Sequence, residues 1–173
     1  PIYAGEPKLH DEITRVPGSF KQAIAGIHNL MNKNIDIEIR IVVLKKNYKE
    51  LENLAKFIVK NLPQAKMVNI MALEMTGNAF KNKDQVWINF SDVSDYLYKA
   101  CMRLIANGIV TNLYNFPLCC IDERLYSISR KSITDYKVRY KEQCEECSAQ
   151  DCCGGFFSST INIKDITIKP IKS

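Results

Sequence analysis

The sequence predicts an α/β fold in which a parallel sheet of about four strands is followed by a cysteine-rich segment. Strand-like and helix-like hydrophobic patterns alternate over the first 115 residues, at a spacing of about 30 residues that is typical of βαβ units. After residue 115 this pattern ends, and six of the seven cysteines fall between residues 119 and 153. We therefore expect two parts, residues 1–115 and residues 116–173.

Three helices are predicted from apolar residues at helical spacing and from their end signals. A capping box that starts at Ser19 opens the first helix, and a weaker one at Asn47 opens the second. Pro63 ends the second helix because proline cannot continue a helix. Ser91 or Asp92 opens the third. A polar loop is expected between the second and third helices, from residue 77 to residue 87.

The predicted strands are residues 35–43, 67–73 and 109–114, with residues 2–4 as the tail of a further strand. Residues 35–43 alternate between isoleucines on one face and Asp36, Glu38 and Arg40 on the other. Residues 67–73 are nearly all apolar, as in a strand covered on both faces. Residues 161–163 and 166–168 are expected as edge strands.

Such a sheet is either an open doubly wound sheet or an arc of a barrel. No glycine-rich phosphate loop follows any strand, which argues against an ordinary nucleotide-binding sheet. In a barrel, the isoleucines of residues 35–43 would face the helices, and the polar residues would face a lumen large enough for a ligand. The pattern therefore favours a partial (β/α) barrel.

The cysteine-rich segment predicts a metal site. Cys144 and Cys147 form a C-x2-C pair, and Cys153 follows six positions later with two glycines behind it. Soft thiolates in this arrangement select iron–sulfur clusters or zinc, and a disulfide framework is the remaining alternative. Cys101 lies on the apolar stripe of a helix, where a buried structural thiol is expected.

Composition narrows the classes of function. No apolar run could cross a bilayer and no signal peptide is present, so we expect a cytoplasmic chain with reduced thiols and no membrane partner. The formal net charge of +5 does not by itself indicate nucleic acid, and none is predicted as a partner. Because the chain opens at Pro1 without an initiator methionine, we expect a C-terminal fragment of a larger protein.

Five phrases carry a resemblance to a known family. They are His10-Asp11-Glu12-Ile13 before Val16-Pro17-Gly18-Ser19-Phe20; Met71-Ala72-Leu73-Glu74-Met75-Thr76-Gly77; Asn115-Phe116-Pro117-Leu118-Cys119; Arg130-Lys131-Ser132-Ile133-Thr134-Asp135-Tyr136-Lys137; and Cys144-x2-Cys147-x5-Cys153-Gly154-Gly155-Phe156-Phe157. Together they resemble the radical S-adenosylmethionine (radical SAM) enzymes, most closely the His-Xaa-Ser system radical SAM maturases. Tyr136 stands where a tryptophan would be expected.

The resemblance implies the C-terminal half of a radical SAM partial barrel, followed by a segment that holds an auxiliary [4Fe–4S] cluster. The spacing and the resemblance agree on one ligand set, which is Cys119, Cys144, Cys147 and Cys153. Cys120 or Cys152 could replace its neighbour, since sequence does not say which residue of each adjacent pair turns inward. Zinc could substitute for the cluster.

The resemblance also implies an activity for the parent protein. It would use S-adenosylmethionine to generate a 5′-deoxyadenosyl radical that abstracts hydrogen from a partner peptide or protein. Arg40 could hold the carboxylate or ribose of S-adenosylmethionine, and Glu74 could face substrate, with structural ion pairing as the alternative for both. The C-x3-C-x2-C loop that holds the catalytic cluster is missing, so this chain alone is expected to be inactive, and its catalytic residues stay unknown.

A rival interpretation is a non-catalytic binding or interaction module, stapled by a four-cysteine zinc site. For either function, the free edge of the first strand predicts self-association. The two histidines carry no predicted role: His10 is expected in a loop near a strand end, and His28 on an exposed helix face.

Overall fold

The computed structural model describes residues 1–131, 134–163 and 166–172. At its centre lies a parallel sheet in the order β1-β2-β3-β4. The strands are β1 (Ile37–Val42), β2 (Ala65–Met71), β3 (Val110–Tyr114) and the short β4 (Ser129–Arg130). The predicted α/β class with a parallel sheet is therefore confirmed. Within the described residues, no helix is both long enough and apolar enough to pass through a lipid bilayer.

The described residues form six α-helices, which surround or precede the strands. They are α1 (Pro7–Thr14), α2 (Ser19–Met31), α3 (Leu51–Asn61), α4 (Gly77–Lys81), α5 (Lys83–Val86) and α6 (Phe90–Ile105). Helix α3 connects β1 to β2, and α4 to α6 connect β2 to β3. Helices α3 and α6 pack against each other, and their buried side chains share one apolar core with the sheet. The large side chains that these two helices bury there include Phe90, Leu51, Leu54, Ile58, Leu97 and Leu104.

The two faces of the sheet differ as the alternation in residues 35–43 predicts. Ile37, Ile39 and Ile41 are buried, whereas Glu38 and Arg40 between them are exposed. Register carries this difference across the sheet, because Arg40 pairs with Asn69 on β2, and Asn69 pairs with Asn112 on β3. The face turned away from the apolar core is therefore lined by polar side chains.

Helix α1 and the start of α2 correct the sequence prediction. Residue 10 lies in a helix rather than a loop, and Gly18 rather than Ser19 is the N-cap of α2. Asp11 supplies the missing cap from α1: its carboxylate accepts hydrogen bonds from the Gly18 N–H at 2.6 Å and the Phe20 N–H at 2.8 Å. A cap provided by another helix leaves no signal in the local sequence.

Two other expectations about secondary structure are wrong. The stretch expected as a polar loop forms α4 and α5, where the Asn82 side chain donates to the Asn78 carbonyl at 2.8 Å. Residues 161–163 and 166–168 form no strands. The amides of Thr160 and Ile163 instead bond within turns, and Ile163 is buried as core packing. The alternating isoleucines at these positions therefore reflect side-chain burial and not the pairing of a strand with its neighbour.

Residues 2–4 lie along the outer edge of β1 without forming a strand. The Ile2 N–H donates to the Arg40 carbonyl at 2.9 Å, and the Asn47 side chain donates to the Val42 carbonyl at 3.0 Å. This edge of the first strand is therefore covered in part by the chain itself.

After β3 the described chain is built mainly from short 3-10 turns and one small antiparallel ribbon. The ribbon pairs β5 (Val138–Arg139) with β6 (Phe156–Phe157). The turns are Leu118–Cys120, Glu123–Ile128, Asp135–Lys137, Glu142–Glu146 and Gln150–Cys152. Ser132 and Ile133, which belong to the phrase at residues 130–137, lie outside the described residues.

Candidate metal centre

The four cysteines chosen as ligands from the sequence line a single pocket. Cys119 comes from the turn that follows β3, and Cys144, Cys147 and Cys153 come from the turns that precede β6. The remaining lining is mostly apolar and consists of Pro117, Leu118, Tyr140, Gln150, Phe156, Ile168, Pro170 and Ile171. The structure thus brings together sulfurs from two separate stretches of the chain.

A backbone period of three residues explains which side chains turn inward. Three-residue turns link Cys144, Cys147, Gln150 and Cys153 in sequence: each of the last three donates its N–H to the carbonyl of the one before, at 3.1, 3.2 and 3.2 Å. These three-residue turns bring all four side chains to the same pocket. The sequence interpretation missed Gln150, which this spacing of three would have identified.

The neighbouring cysteines are excluded from the pocket lining. Cys152 is one position out of this period and is exposed, with its Sγ 3.3 Å from the Ala149 carbonyl. Cys120 is buried outside the lining, and its Sγ lies 3.6 Å from the Thr167 carbonyl. Cys101 is fully buried on α6 as predicted, and burial raises its pKa to about 12.

Backbone N–H groups point at the sulfurs of the pocket. Cys153 Sγ accepts from the amides of Leu118 and Gly155, each at 3.4 Å. Cys147 Sγ accepts from the Ile171 amide at 3.4 Å. Such donors stabilise negative charge on sulfur, and in iron–sulfur sites they help to set the reduction potential.

The pKa values of the lining thiols show two opposing influences. A hydrogen bond from Cys120 lowers the pKa of Cys119 to about 6, with smaller help from the backbone of Lys169. The same contact raises the pKa of Cys120. Burial in the mostly apolar lining raises the pKa of Cys144 and of Cys153, against the backbone hydrogen bonds that lower it. A cation in the pocket would reverse the burial penalty, since it stabilises thiolates.

The sulfurs do not crowd around one point. Within residues 1–131, 134–163 and 166–172, no group of three or more His, Cys, Asp or Glu side chains is arranged to hold a single metal ion. A tetrahedral zinc site with Zn–S bonds of about 2.3 Å requires sulfurs about 3.8 Å apart. The donor set is that of a thiolate metal site, but its arrangement is not that of a single-ion site.

Two glycines allow Cys153 to reach the pocket. A Cβ on Gly154 would lie 3.0 Å from the Arg130 carbonyl oxygen and 3.1 Å from that of Phe116. Gly155 has a φ of 61°, which favours glycine, and a Cβ there would lie 2.7 Å from Val138. The chain therefore packs directly against the end of β3, against β4 and against β5 at this point.

Lysine side chains lie beside the walls of the pocket. Lys131 Nζ is 5.9 Å from the centroid of the Tyr140 ring, and Lys141 Nζ is 6.0 Å from that of Phe156. Both rings line the pocket. Lys137, by contrast, pairs with Glu74, which lies outside the lining of this pocket.

A second, polar cavity lies on the open face of the sheet and contains both residues predicted to bind cofactor. Arg40 and Glu74 line it together; the other lining residues are Glu38, Asn69, Met71, Tyr114, Thr134, Tyr136, Lys137 and Phe157. Arg40 Nε bonds to Glu38 Oε1 at 2.5 Å, and Lys137 Nζ lies 3.2 Å from Glu74 Oε2. All four charged side chains are about one-third exposed or more, so each ion pair is weak and a ligand can compete for it.

The ribbon separates the two cavities. Phe156 lines the cysteine pocket and Phe157 lines the polar cavity, because successive side chains of a strand point to opposite faces. On the facing part of the chain, Lys137 lines the polar cavity and Tyr140 lines the cysteine pocket.

Neither histidine belongs to a site. His10 is buried between the rings of Tyr3 and Phe20, and its Nδ1 accepts from the Tyr3 N–H at 3.2 Å. Burial lowers the pKa of His10, which matches an acceptor nitrogen in a neutral ring. His28 is exposed on α2, as predicted.

Comparisons of the chain with protein-family models, with curated proteins and with solved structures found no match.

Proposed function

We propose that Cys119, Cys144, Cys147 and Cys153 hold an auxiliary [4Fe–4S] cluster, and that the chain is the C-terminal part of a radical SAM peptide-modifying maturase. One observation carries the first half of the proposal: four sulfurs from two stretches of the chain line one mostly apolar pocket. Four cysteine thiolates are the usual ligands of such a cluster. The amides that donate to Cys147 and Cys153 would stabilise their thiolates.

A four-iron cluster and a single zinc ion require different arrangements of the four sulfurs. In a four-iron cluster each thiolate binds its own iron, so the sulfurs stand further apart than they do around one ion. The described residues offer no group of three close ligands for a single ion, although four cysteines face the same space.

The maturase half of the proposal draws on the sheet and on the resemblance described above. Parallel strands in sequential order, with α3 and α6 in one core, are expected of a barrel arc; a doubly wound sheet reverses its strand order. S-adenosylmethionine bound in the polar cavity would supply the hydrogen-abstracting chemistry, with Arg40 and Glu74 as its contacts. Because the chain has no C-x3-C-x2-C sequence, we expect no cleavage of S-adenosylmethionine by this chain alone.

A second candidate is a binding module in which a zinc site only staples the C-terminal segment. It is favoured by the contacts of that segment, since the Ile171 amide donates to Cys147 Sγ and the Ile171 carbonyl accepts from the Ser148 amide at 2.9 Å. In this role the four metal–thiolate bonds would hold the segment in place. They would replace the backbone hydrogen bonds of a regular sheet, which these residues lack.

The experiment is metal reconstitution of the full 173-residue chain without oxygen, in the presence of both iron with sulfide and zinc. We expect about four irons and four sulfides per chain, with the visible absorption of an iron–sulfur cluster. Single serine substitutions at the four proposed ligands should each lower iron uptake. Cys152→Ser and Cys101→Ser are the matched controls, because neither residue lines the pocket.

Two results would contradict the proposal, one against the cluster and one against its ligand set. Stoichiometric zinc that iron and sulfide cannot replace would establish the stapled module instead. Iron uptake that Cys152→Ser abolishes and Cys153→Ser leaves intact would overturn the ligand set.

A further inference from the structure

The chain contains two pairs of adjacent cysteines, and the structure treats them differently. In the pair Cys119–Cys120 the two Sγ atoms lie 3.8 Å apart, in contact. In the pair Cys152–Cys153 the first sulfur bonds to the Ala149 carbonyl at the surface, and the second faces the pocket. Only in the first pair are the two sulfurs therefore placed to form a disulfide bond with each other.

We propose that Cys119 and Cys120 form a reversible vicinal disulfide, and that the oxidant is a small-molecule disulfide. The half-buried Cys119, as thiolate, attacks one sulfur of the oxidant, which breaks its S–S bond and releases one small thiolate. Cys120 then loses its proton and displaces the second small thiol from Cys119. Two protein thiols become one disulfide, and one small disulfide becomes two thiols, so that atoms and electrons balance.

Geometry makes this bond easy to reduce again. Adjacent Cα atoms in a trans peptide are about 3.8 Å apart, which is shorter than the separation of roughly 4.4 to 6.8 Å found in most disulfides. A strained disulfide has a more oxidising potential, which is the property of labile and regulatory bonds. The described chain also leaves all seven cysteines as free thiols.

The bond would act on the pocket because it consumes one of the pocket's sulfurs. Cys119 lines the pocket, and Cys120 lies directly behind it and bonds to the Thr167 carbonyl. Oxidation removes the Cys119 thiolate from the ligand set and leaves the other three sulfurs in place. This consequence rests on the proposed function, whereas the formation of the bond does not.

The test uses the full-length, metal-free, reduced chain and oxidised glutathione without oxygen. After free thiols are alkylated, intact mass and peptide mapping identify the product. We expect the loss of two hydrogens, a Cys119–Cys120 link and no glutathione retained on Cys119 or Cys120. In Cys120→Ser, glutathione should stay on Cys119 as a mixed disulfide, one per chain. Cys152→Ser, the matched control, should behave as the wild type.

A second measurement compares metal uptake before oxidation, after oxidation and after reduction with dithiothreitol. We expect the oxidised chain to lose its uptake and the reduced chain to regain it. A disulfide that joins other cysteines, or unchanged glutathione retention in Cys120→Ser, would overturn the proposal. A Cys119–Cys120 bond that leaves uptake intact would overturn the regulatory step. If neither form takes up metal while the bond still forms, the proposed function fails and the disulfide stands.

Discussion

The two parts of the chain are held together by different kinds of interaction. Residues 1–115 contain regular strands and helices around one apolar core, where repeated backbone ladders satisfy the polar groups. The described residues after 115 contain no α-helix, and their strands are two residues long. There, turns, backbone bonds to sulfur and a close glycine contact replace the ladders. Both parts contribute buried side chains to one core, but residues 141–153, which carry three of the lining cysteines, bury none of their own side chains.

Metal removal should have the largest effect on stability, and it tests the difference between the two parts most directly. Chelation of the metal-loaded chain should lower the opening free energy of residues 141–153, because this stretch carries three of the proposed ligands and buries none of its own side chains. Amides on β2 should keep protection near the global free energy of unfolding. Hydrogen exchange measured by mass spectrometry, with and without chelator, checks both. Equal loss of protection in both parts would contradict the division.

Truncation in the apolar core should come next in size. Leu97 is fully buried on α6, so Leu97→Ala should lower the free energy of unfolding by about 2–5 kcal/mol through lost burial and the cavity left behind. The control is Phe80→Ala: Phe80 is 69% exposed, and a change within about 0.5 kcal/mol is expected. Denaturant unfolding measures both. A Leu97→Ala cost below that of Phe80→Ala would show that the core does not dominate this part.

A methyl group at Gly154 should have an intermediate effect, confined to the second part. Gly154→Ala places a Cβ against two carbonyl oxygens, and overpacking of this kind costs about 1–3 kcal/mol. Metal affinity should fall with it, since the displaced backbone carries Cys153. Gly26→Ala is the matched control: its Cβ meets nothing within 4 Å on α2, so alanine should stabilise the helix. Thermal unfolding of the two variants should give changes of opposite sign, and metal titration should show a loss of affinity in Gly154→Ala but not in Gly26→Ala.

The smallest effect is expected at the junction of α1 and α2. Hydrogen bonds from Phe20, Gly18 and Ser19 hold the pKa of Asp11 below its usual value of 3.8. A lowered pKa stabilises the fold above the usual value, and the contribution disappears as pH falls through the lowered pKa. Asp11→Ala should therefore reduce Tm at neutral pH, and the difference from wild type should vanish in acid. Tm measured across pH checks this; a difference that grows in acid would rule out the carboxylate cap.

The sheet could be predicted because the order of apolar and polar residues within each strand indicates which of its faces are buried. The alternation from Ile37 to Val42 indicates one covered face, and the apolar stretch at residues 67–73 indicates a central strand, which the structure has at Ala65–Met71. Helices α3 and α6 show apolar stripes in the same way. By contrast, the cap from Asp11 and the burial of His10 arise from packing between separate elements. No local pattern encodes them.

The cysteines of the candidate site could be predicted because two residues in a C-x2-C pair are three positions apart. This is also the separation that the three-residue turns bring to the same pocket. The period extended to Gln150 and Cys153 would also have chosen between Cys152 and Cys153. The choice of Cys119 over Cys120 depends on a tertiary contact with Thr167, and no spacing predicts it. The seating of Ile171 against Cys147 is likewise a product of packing.

Because Phe156 and Phe157 point to opposite faces of β6, the lining of the cysteine pocket depends on the same strand as the lining of the polar cavity. If the pairing of β5 and β6 slipped by one position, each ring would enter the opposite compartment, and both linings would change at once. Because β6 contributes one side chain to each lining, a change in the position of this strand that alters the shape of the cysteine pocket also alters the shape of the polar cavity.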